Sequence, residues 1–163
     1  MVENVSSIQL DAQCDEAIIN HALTLLTSRL RTTDCFTNNN EAEKYMRLKL
    51  ASRRREIFAV LFLDTKHCLV EYEEVFLGTV DSCTVHPREV MMSALRLNAS
   101  AMILAHNHPS GSLLFSEADK QLTQKVVDAA ELLNLRVLDH ILVTNNNTSS
   151  MANLGIMPTA NPS

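Results

Sequence analysis

The chain has no tryptophan, two tyrosines and five phenylalanines in 163 residues. That leaves few rings on which the bases of a single-stranded nucleic acid can stack. Positive charge is also in deficit. Fourteen Lys and Arg against nineteen Asp and Glu give a formal net charge of −5, so the overall field repels a phosphate backbone. A local basic strip, Arg47, Lys49, Arg53, Arg54 and Arg55, reads as the solvated face of a helix and the loop after it. No apolar run approaches the ~20 residues that span a bilayer. Met1 to Leu10 lacks the basic start and apolar stretch of a signal peptide. The four cysteines, Cys14, Cys35, Cys68 and Cys83, contain no C-x-x-C pair, which counts against a cysteine zinc knuckle. With nothing that requests export, they are expected to be structural thiols in a cytoplasmic protein. Internal repeats are absent.

What is present is enough apolar material for a core, 46% of the residues. Asp15 to Arg31 carries an apolar stripe at helical spacing. It has no core of its own, so it packs either on the domain or on a second copy, as a homodimer. Thr37 to Asn40 breaks that helix, and Asn40-x-x-Glu43 reads as a capping box that opens a second helix to about Leu50. Ile57 to Leu63 is a buried strand, Asp64 to His67 a turn, and Cys68 to Phe76 its antiparallel partner. Gly78 to Ser82 is a bend or a further short strand. Pro87 suits the first position of a helix that runs to about Leu97. Ala101 to Ala105 is a third strand, Glu117 to Asn134 a long helix, and Arg136 to Thr144 a fourth strand. Asn145 to Ser150 reads as a loop, and Gly155, Pro158 and Pro162 mark a fraying tail. Strands interleaved with helices predict an α/β (α+β) domain, a mixed β-sheet flanked by helices. The expected organisation is an N-terminal helical segment (1–39), the main domain (40–157) and a disordered tail (158–163).

The chemistry concentrates in fourteen residues. His106, His108, Ser116 and Asp119 stand in the order H-x-H-x7-S-x2-D. Alternate residues of a strand share a face, so His106 and His108 can point the same way. Pro109-Ser110-Gly111 turns the chain. Ser116 looks like the N-cap of the next helix, with Asp119 in its first turn, and a seven-residue loop can fold that turn back over the imidazoles. Ser116-x-x-Asp119 alone would be a plain cap, but a cap does not need the histidines. Two neutral nitrogens and a carboxylate suit zinc, and would accept manganese, iron or cobalt. Three protein ligands leave a coordination position open to water.

This pattern resembles the metal motif of the JAB/MPN domain metalloproteases, the JAMM motif. The string Ile103-Leu-Ala-His-Asn-His-Pro-Ser-Gly111 resembles the RadC branch of that family. So do Phe62-Leu-Asp64, Val85-His-Pro-Arg-Glu-Val90 and Val137-Leu-Asp-His-Ile-Leu-Val143. In order, these blocks cover roughly residues 40 to 144. The resemblance implies a JAB1/MPN-like (cytidine-deaminase-like) architecture and one zinc per chain, held by His106, His108 and Asp119. It implies Ser116 as a stabiliser of developing carbonyl charge and a glutamate before an early strand, matched by Glu56, as general base. The implied activity is hydrolysis of an amide bond in a peptide or protein. RadC proteins carry an N-terminal segment resembling helix-hairpin-helix modules; the first 40 residues here hold one amphipathic helix instead, as in a short stand-alone form. Asn145 to Thr148 stands where relatives of this type have a glycine-containing turn.

Glu71, Glu73, Glu74 and Glu89 compete with Glu56 for the base. The first three lie in an alternating strand, where charges face water. Glu89 lies in the first turn of a helix, where a carboxylate favours the dipole. His86 reads either as a substrate-binding side chain or, in preference, as the cap of the helix at Pro87, and Arg88 as a binder of a substrate carboxylate or, more commonly, as solvent-facing. Asp139 and His140 are strand neighbours that face opposite ways, so they form no triad. His140 is expected to hold a ligand carboxylate or a carbonyl. Three classes of function stand side by side: a metal-dependent hydrolase, a DNA repair or processing factor implied by the RadC name, and a non-catalytic interaction module. His106-Asn107-His108 is no HNH nuclease, whose residues spread over a longer ββα motif. The H-x-E and P-C-x-x-C ligands of a zinc deaminase are missing.

Overall fold

Two apolar runs with both faces covered mark the centre of the sheet in the computed structural model, which describes residues 15–26, 36, 39–77 and 85–161. In chain order the elements are α1 (residues 15–26), α2 (Asn39–Leu50), β1 (Ile57–Leu63), β2 (Leu69–Leu77), α3 (Pro87–Arg96), β3 (Ala101–Asn107), α4 (Glu117–Leu132), β4 (Arg136–Val143) and β5 (Thr148–Ser150). They form a five-stranded mixed sheet in the order β2-β1-β3-β4-β5. Every residue of β1 and β3 is buried, which is why both read as continuous apolar runs rather than alternating ones. β1 pairs antiparallel with β2 and with β3, and β3 pairs parallel with β4 across the α4 connection. The α+β expectation holds.

Alternation along the strands divides the core into two layers. Ile57, Ala59 and Leu61 of β1, with Ala101, Ile103 and Ala105 of β3, pack with Met46 and Leu50 of α2. Phe58, Val60 and Phe62, with Met102 and Leu104, pack with Val90 and Ala94 of α3 and Val126 and Ala130 of α4. Each fully buried large side chain contributes about 1.5–3 kcal/mol. α1 lies on its own domain: Leu23 is buried in the first layer, with Ile19 and Leu26 packed against it. Of the expected helix, 27–31 falls outside the described residues, as do the Gly78 to Ser82 segment and Cys14, Cys35 and Cys83. No helix of the described residues is long and apolar enough to cross a membrane.

The structure corrects two local readings. Asn40 does not cap α2, which already includes Asn39. The Glu43 carboxylate instead accepts from Thr148 Oγ1 at 2.5 Å and Asn153 Nδ2 at 2.9 Å. Residues 148–150, expected to belong to a loop, form β5 on the edge of β4. Three hydroxyl residues give no apolar alternation to read, but two of their hydroxyls satisfy carboxylates: besides Thr148, Ser150 Oγ donates to Asp139 Oδ2 at 2.5 Å. At the start of the expected tail, the Thr159 carbonyl accepts from Gln124 of α4 and the Asn161 amide donates to Asp128.

Asp139 fastens this edge. Its Oδ1 accepts from the backbone amides of His140 (2.7 Å) and Ala152 (2.9 Å), and the residue is 1% exposed. Burial pushes its carboxyl above the usual 3.8, against the pull of those donors. An acid raised in the folded state adds stability below its unfolded value, and that contribution drains away as pH rises through the folded value. Asp139→Asn keeps the acceptor for both amides and can donate to Ser150 Oγ. It should therefore gain on the wild type as pH rises from about 4 and then level off. Urea unfolding of both proteins across that range checks this; a pH-independent difference would show that Asp139 does not titrate there.

Candidate metal centre

The parity of β3 builds the site. Met102 and Leu104 face α3 and α4, while Ala101, Ile103 and Ala105 face α2. Continued by two residues, this sends the His106 ring to the α4 side and the Asn107 side chain to the other. His108 follows at the strand end, where its amide donates to Val143 O at 2.9 Å. The chain then turns, with Gly111 N donating to His108 O and Gly111 at φ +83°, a conformation that favours glycine. The two imidazoles do share a face: His106 Nε2 lies 3.1 Å from His108 Nε2. His108 Nδ1 sits 3.0 Å from Ser112 O. A carbonyl only accepts, so the proton of a neutral His108 is on Nδ1 and its Nε2 carries the lone pair.

α4 supplies the third group. Ser116 is its N-cap: Ser116 Oγ accepts from Asp119 N at 3.1 Å, and Asp119 Oδ2 accepts from Ser116 N at 2.7 Å. The cap reading is met, and the same carboxylate faces the two imidazoles. Asp119 Oδ1 is 3.4 Å from His106 Nε2, and Oδ2 is 3.9 Å from His108 Nε2. Burial works to raise the Asp119 carboxyl, but His106 and the Ser116 donors outweigh it and hold it well below the usual carboxylate range. One ligand atom from each of His106, His108 and Asp119 lies within 4.8 Å of the other two. Two imidazole nitrogens and a carboxylate converging in this way could hold a divalent ion.

A cavity of about 570 Å³ opens in front of these groups. Glu56, Ser116, His86 and Lys125 line it, beside the apolar Phe58 and Leu122. Of the competing carboxylates, Glu73 pairs with Arg96 and Glu74 with Arg53, while Glu71 and Glu89 are exposed and do not line it. Glu56 is the one that does. Its position is set by Asn107, which is 2% exposed. Asn107 Oδ1 accepts from Ile57 N at 2.8 Å, and its Nδ2 donates to Arg53 O and Arg55 O at 3.2 and 3.0 Å. The amide between the two histidines thus clamps the segment that carries Glu56.

Two readings are corrected here. His86 occupies the N-cap position of α3, but its side chain makes no capping bond; it lines the cavity instead. His140 holds neither a carboxylate nor a carbonyl. Its Nε2 lies 2.8 Å from His106 Nδ1, and its Nδ1 lies 2.6 Å from Thr123 Oγ1. The ring is fully buried between Phe58 and Phe115. That burial, then His106, drives its pKa far below the ordinary imidazole value, so it is neutral. Sequence reading missed Asn107, Phe115 and Thr123. For Thr123 a signal existed, since it stands one turn after Asp119 on α4; its partner His140 lies on another element.

The family model for the RadC-like JAB domain matches residues 36–156. A UPF0758 protein of Vibrio cholerae serotype O1 is 44% identical over 135 residues, 83% of this chain and 85% of the relative. The UPF0758 protein YfjY of Escherichia coli K12 is 44% identical over 140 residues, 85% of this chain and 88% of that one. A UPF0758 protein of Methylibium petroleiphilum is 47% identical over 141 residues, 86% of this chain but 64% of the longer relative.

Asn107→Ala removes the acceptor of the buried Ile57 amide and the donors to the Arg53 and Arg55 carbonyls. It should cost on the order of 3 kcal/mol in urea unfolding, mainly from the groups left unpaired. Zinc affinity, read by isothermal titration, should change little, since no ligand is touched. A large loss of affinity at unchanged stability would contradict the clamp.

Proposed function

The chain belongs to the RadC-like JAB domain family, and on that footing we propose that it is a zinc-dependent hydrolase of amide bonds, peptide or isopeptide. The observation that carries this reading is the sharing of one cavity by a three-ligand cluster and a carboxylate outside it, Glu56. A divalent ion on His106, His108 and Asp119 would supply Lewis acidity toward a carbonyl oxygen and toward water. The rest falls to the side chains. Glu56 takes the proton of the attacking water and returns it to the departing nitrogen. It is exposed at the cavity wall, within reach of solvent and of an extended substrate. Asp119 accepts from both the backbone amide and the hydroxyl of Ser116, which suits an ionised ligand carboxylate and leaves the proton transfer to Glu56. Ser116 offers an O–H donor for the developing oxyanion. That hydroxyl donates to Asp119 Oδ2 at 2.7 Å, so it must swing toward the substrate to act. The apolar Phe58, Val85 and Leu122 suit the aliphatic part of a peptide on either side of the scissile bond.

Elemental analysis should find about one zinc per chain, as expected for an open site of three protein ligands. Glu56→Gln should keep the zinc and lose roughly 10²–10⁴-fold in kcat on a cleavable peptide. Asp119→Ala should lose the zinc itself. Equal rates for wild type and Glu56→Gln would remove Glu56 from the reaction. Hydrolysis that survives metal removal would sink the whole reading.

A further inference from the structure

We propose that Thr123 and His140 are positioning residues that decide which nitrogen of His106 carries the ring proton, leaving the other bare for the ion. This rests on the metal reading of His106 given above.

The argument follows donors and acceptors along one buried chain. Thr123 Oγ1 lies 2.6 Å from the Asp119 backbone carbonyl, which can only accept. The single hydroxyl proton is therefore directed to Asp119 O. Toward His140 Nδ1, 2.6 Å away, the same oxygen can then only accept, so the His140 proton sits on Nδ1. His140 Nε2 is left with a lone pair, and it faces His106 Nδ1 at 2.8 Å. His106 must donate there, which fixes its proton on Nδ1. In a neutral ring His106 Nε2, the atom turned to the His108 lone pair and to Asp119, is then unprotonated, and only a second proton, which makes the ring cationic, or a metal ion can lie among those three groups. Every step is a two-way choice settled by the step before, and the first is settled by a carbonyl.

The surroundings keep the relay from resetting. Thr123 and His140 are both 0% exposed, so water is not at hand to replace a missing partner. Asp139, the nearest carboxylate in sequence, points its oxygens to backbone amides and Ser150, and it offers nothing to the His140 ring. The relay also starts on the helix turn that carries Asp119. The carbonyl of one ligand residue thereby sets the tautomer of another across the sheet.

Removing the hydroxyl should reverse the order. In Thr123→Val, of nearly the same shape, His140 Nδ1 has no acceptor. Its proton gains a partner by moving to Nε2, where His106 Nδ1 can accept it, and the His106 proton then moves to Nε2. The ion must displace that proton, so zinc binding weakens.

The test uses the full chain. In metal-free protein labelled with ¹⁵N-histidine, long-range ¹H–¹⁵N correlation reads the His106 tautomer, and competition with a chromophoric chelator reads zinc affinity. Wild type, read at a pH alkaline enough for the ring to be neutral, should show the Nδ1–H form. Thr123→Val should show a population of the Nε2–H form and bind zinc about 10–100-fold more weakly, the usual scale for losing an outer partner of a metal-binding histidine. Thr123→Ser, which restores the hydroxyl, should return both readouts toward wild type. If Thr123→Val does not fold, Thr123→Ala takes its place. Wild-type tautomer and affinity in the variant without the hydroxyl would overturn the relay, as would a serine variant as weak as the valine one. Failure of the wild type to bind zinc would count against the metal reading alone, because the tautomer in metal-free protein still decides the relay.

Discussion

Two imidazole nitrogens 3.1 Å apart, with a carboxylate oxygen 3.4 Å from one of them, concentrate electron pairs in a small volume. When both facing nitrogens carry lone pairs, such a cluster favours positive charge placed among them. Much of the structure around it can be read as the means of holding that arrangement. β3 is hydrogen-bonded on both sides, to β1 and to β4, which leaves the backbone under His106 no freedom to retreat. The cap at the start of α4 pins Asp119 from its own helix end. The Ser112 carbonyl turns the His108 ring.

The same alternation gives each residue of the His-Asn-His triplet a separate task. The histidines face the cavity; the asparagine faces away and grips the chain before β1. A sheet makes this economical, because adjacent residues on a strand act on opposite layers without competing for space. The aromatic residues, few in the whole chain, are placed where they matter. Phe58 and Phe115 flank His140, and Phe115 also tilts against His106, so the inner side of the cluster is dry while the outer side opens to the cavity. A low-dielectric wall behind a charged site strengthens every interaction at the site.

The central strands were legible because burial on both faces writes a plain run, as in Ile57 to Leu63. The three clustered residues were legible because their spacing is local: a strand alternation, a turn and a helix cap, all within one short stretch. What escaped was made of contacts between distant segments. β5 is three hydroxyl residues whose strand character comes from their partner, β4. Glu43 looked like a capping residue because its true partners, Thr148 and Asn153, are over a hundred residues away. Thr123 carries no mark of its role apart from its place one turn after Asp119. His86 was assigned to a helix start by its neighbour Pro87, which fixes the backbone but says nothing about where the ring points.

The sheet and the helix cap bring the three side chains of the cluster together. Its scaffold is a sheet with two apolar layers, which owes nothing to coordination bonds. Loading of a divalent ion would then be decoupled from folding, unlike in small domains whose architecture collapses when the metal leaves. One cation would exchange for another on an intact framework, and the occupant in a cell would follow the supply of competing metals as much as the preference of the ligands.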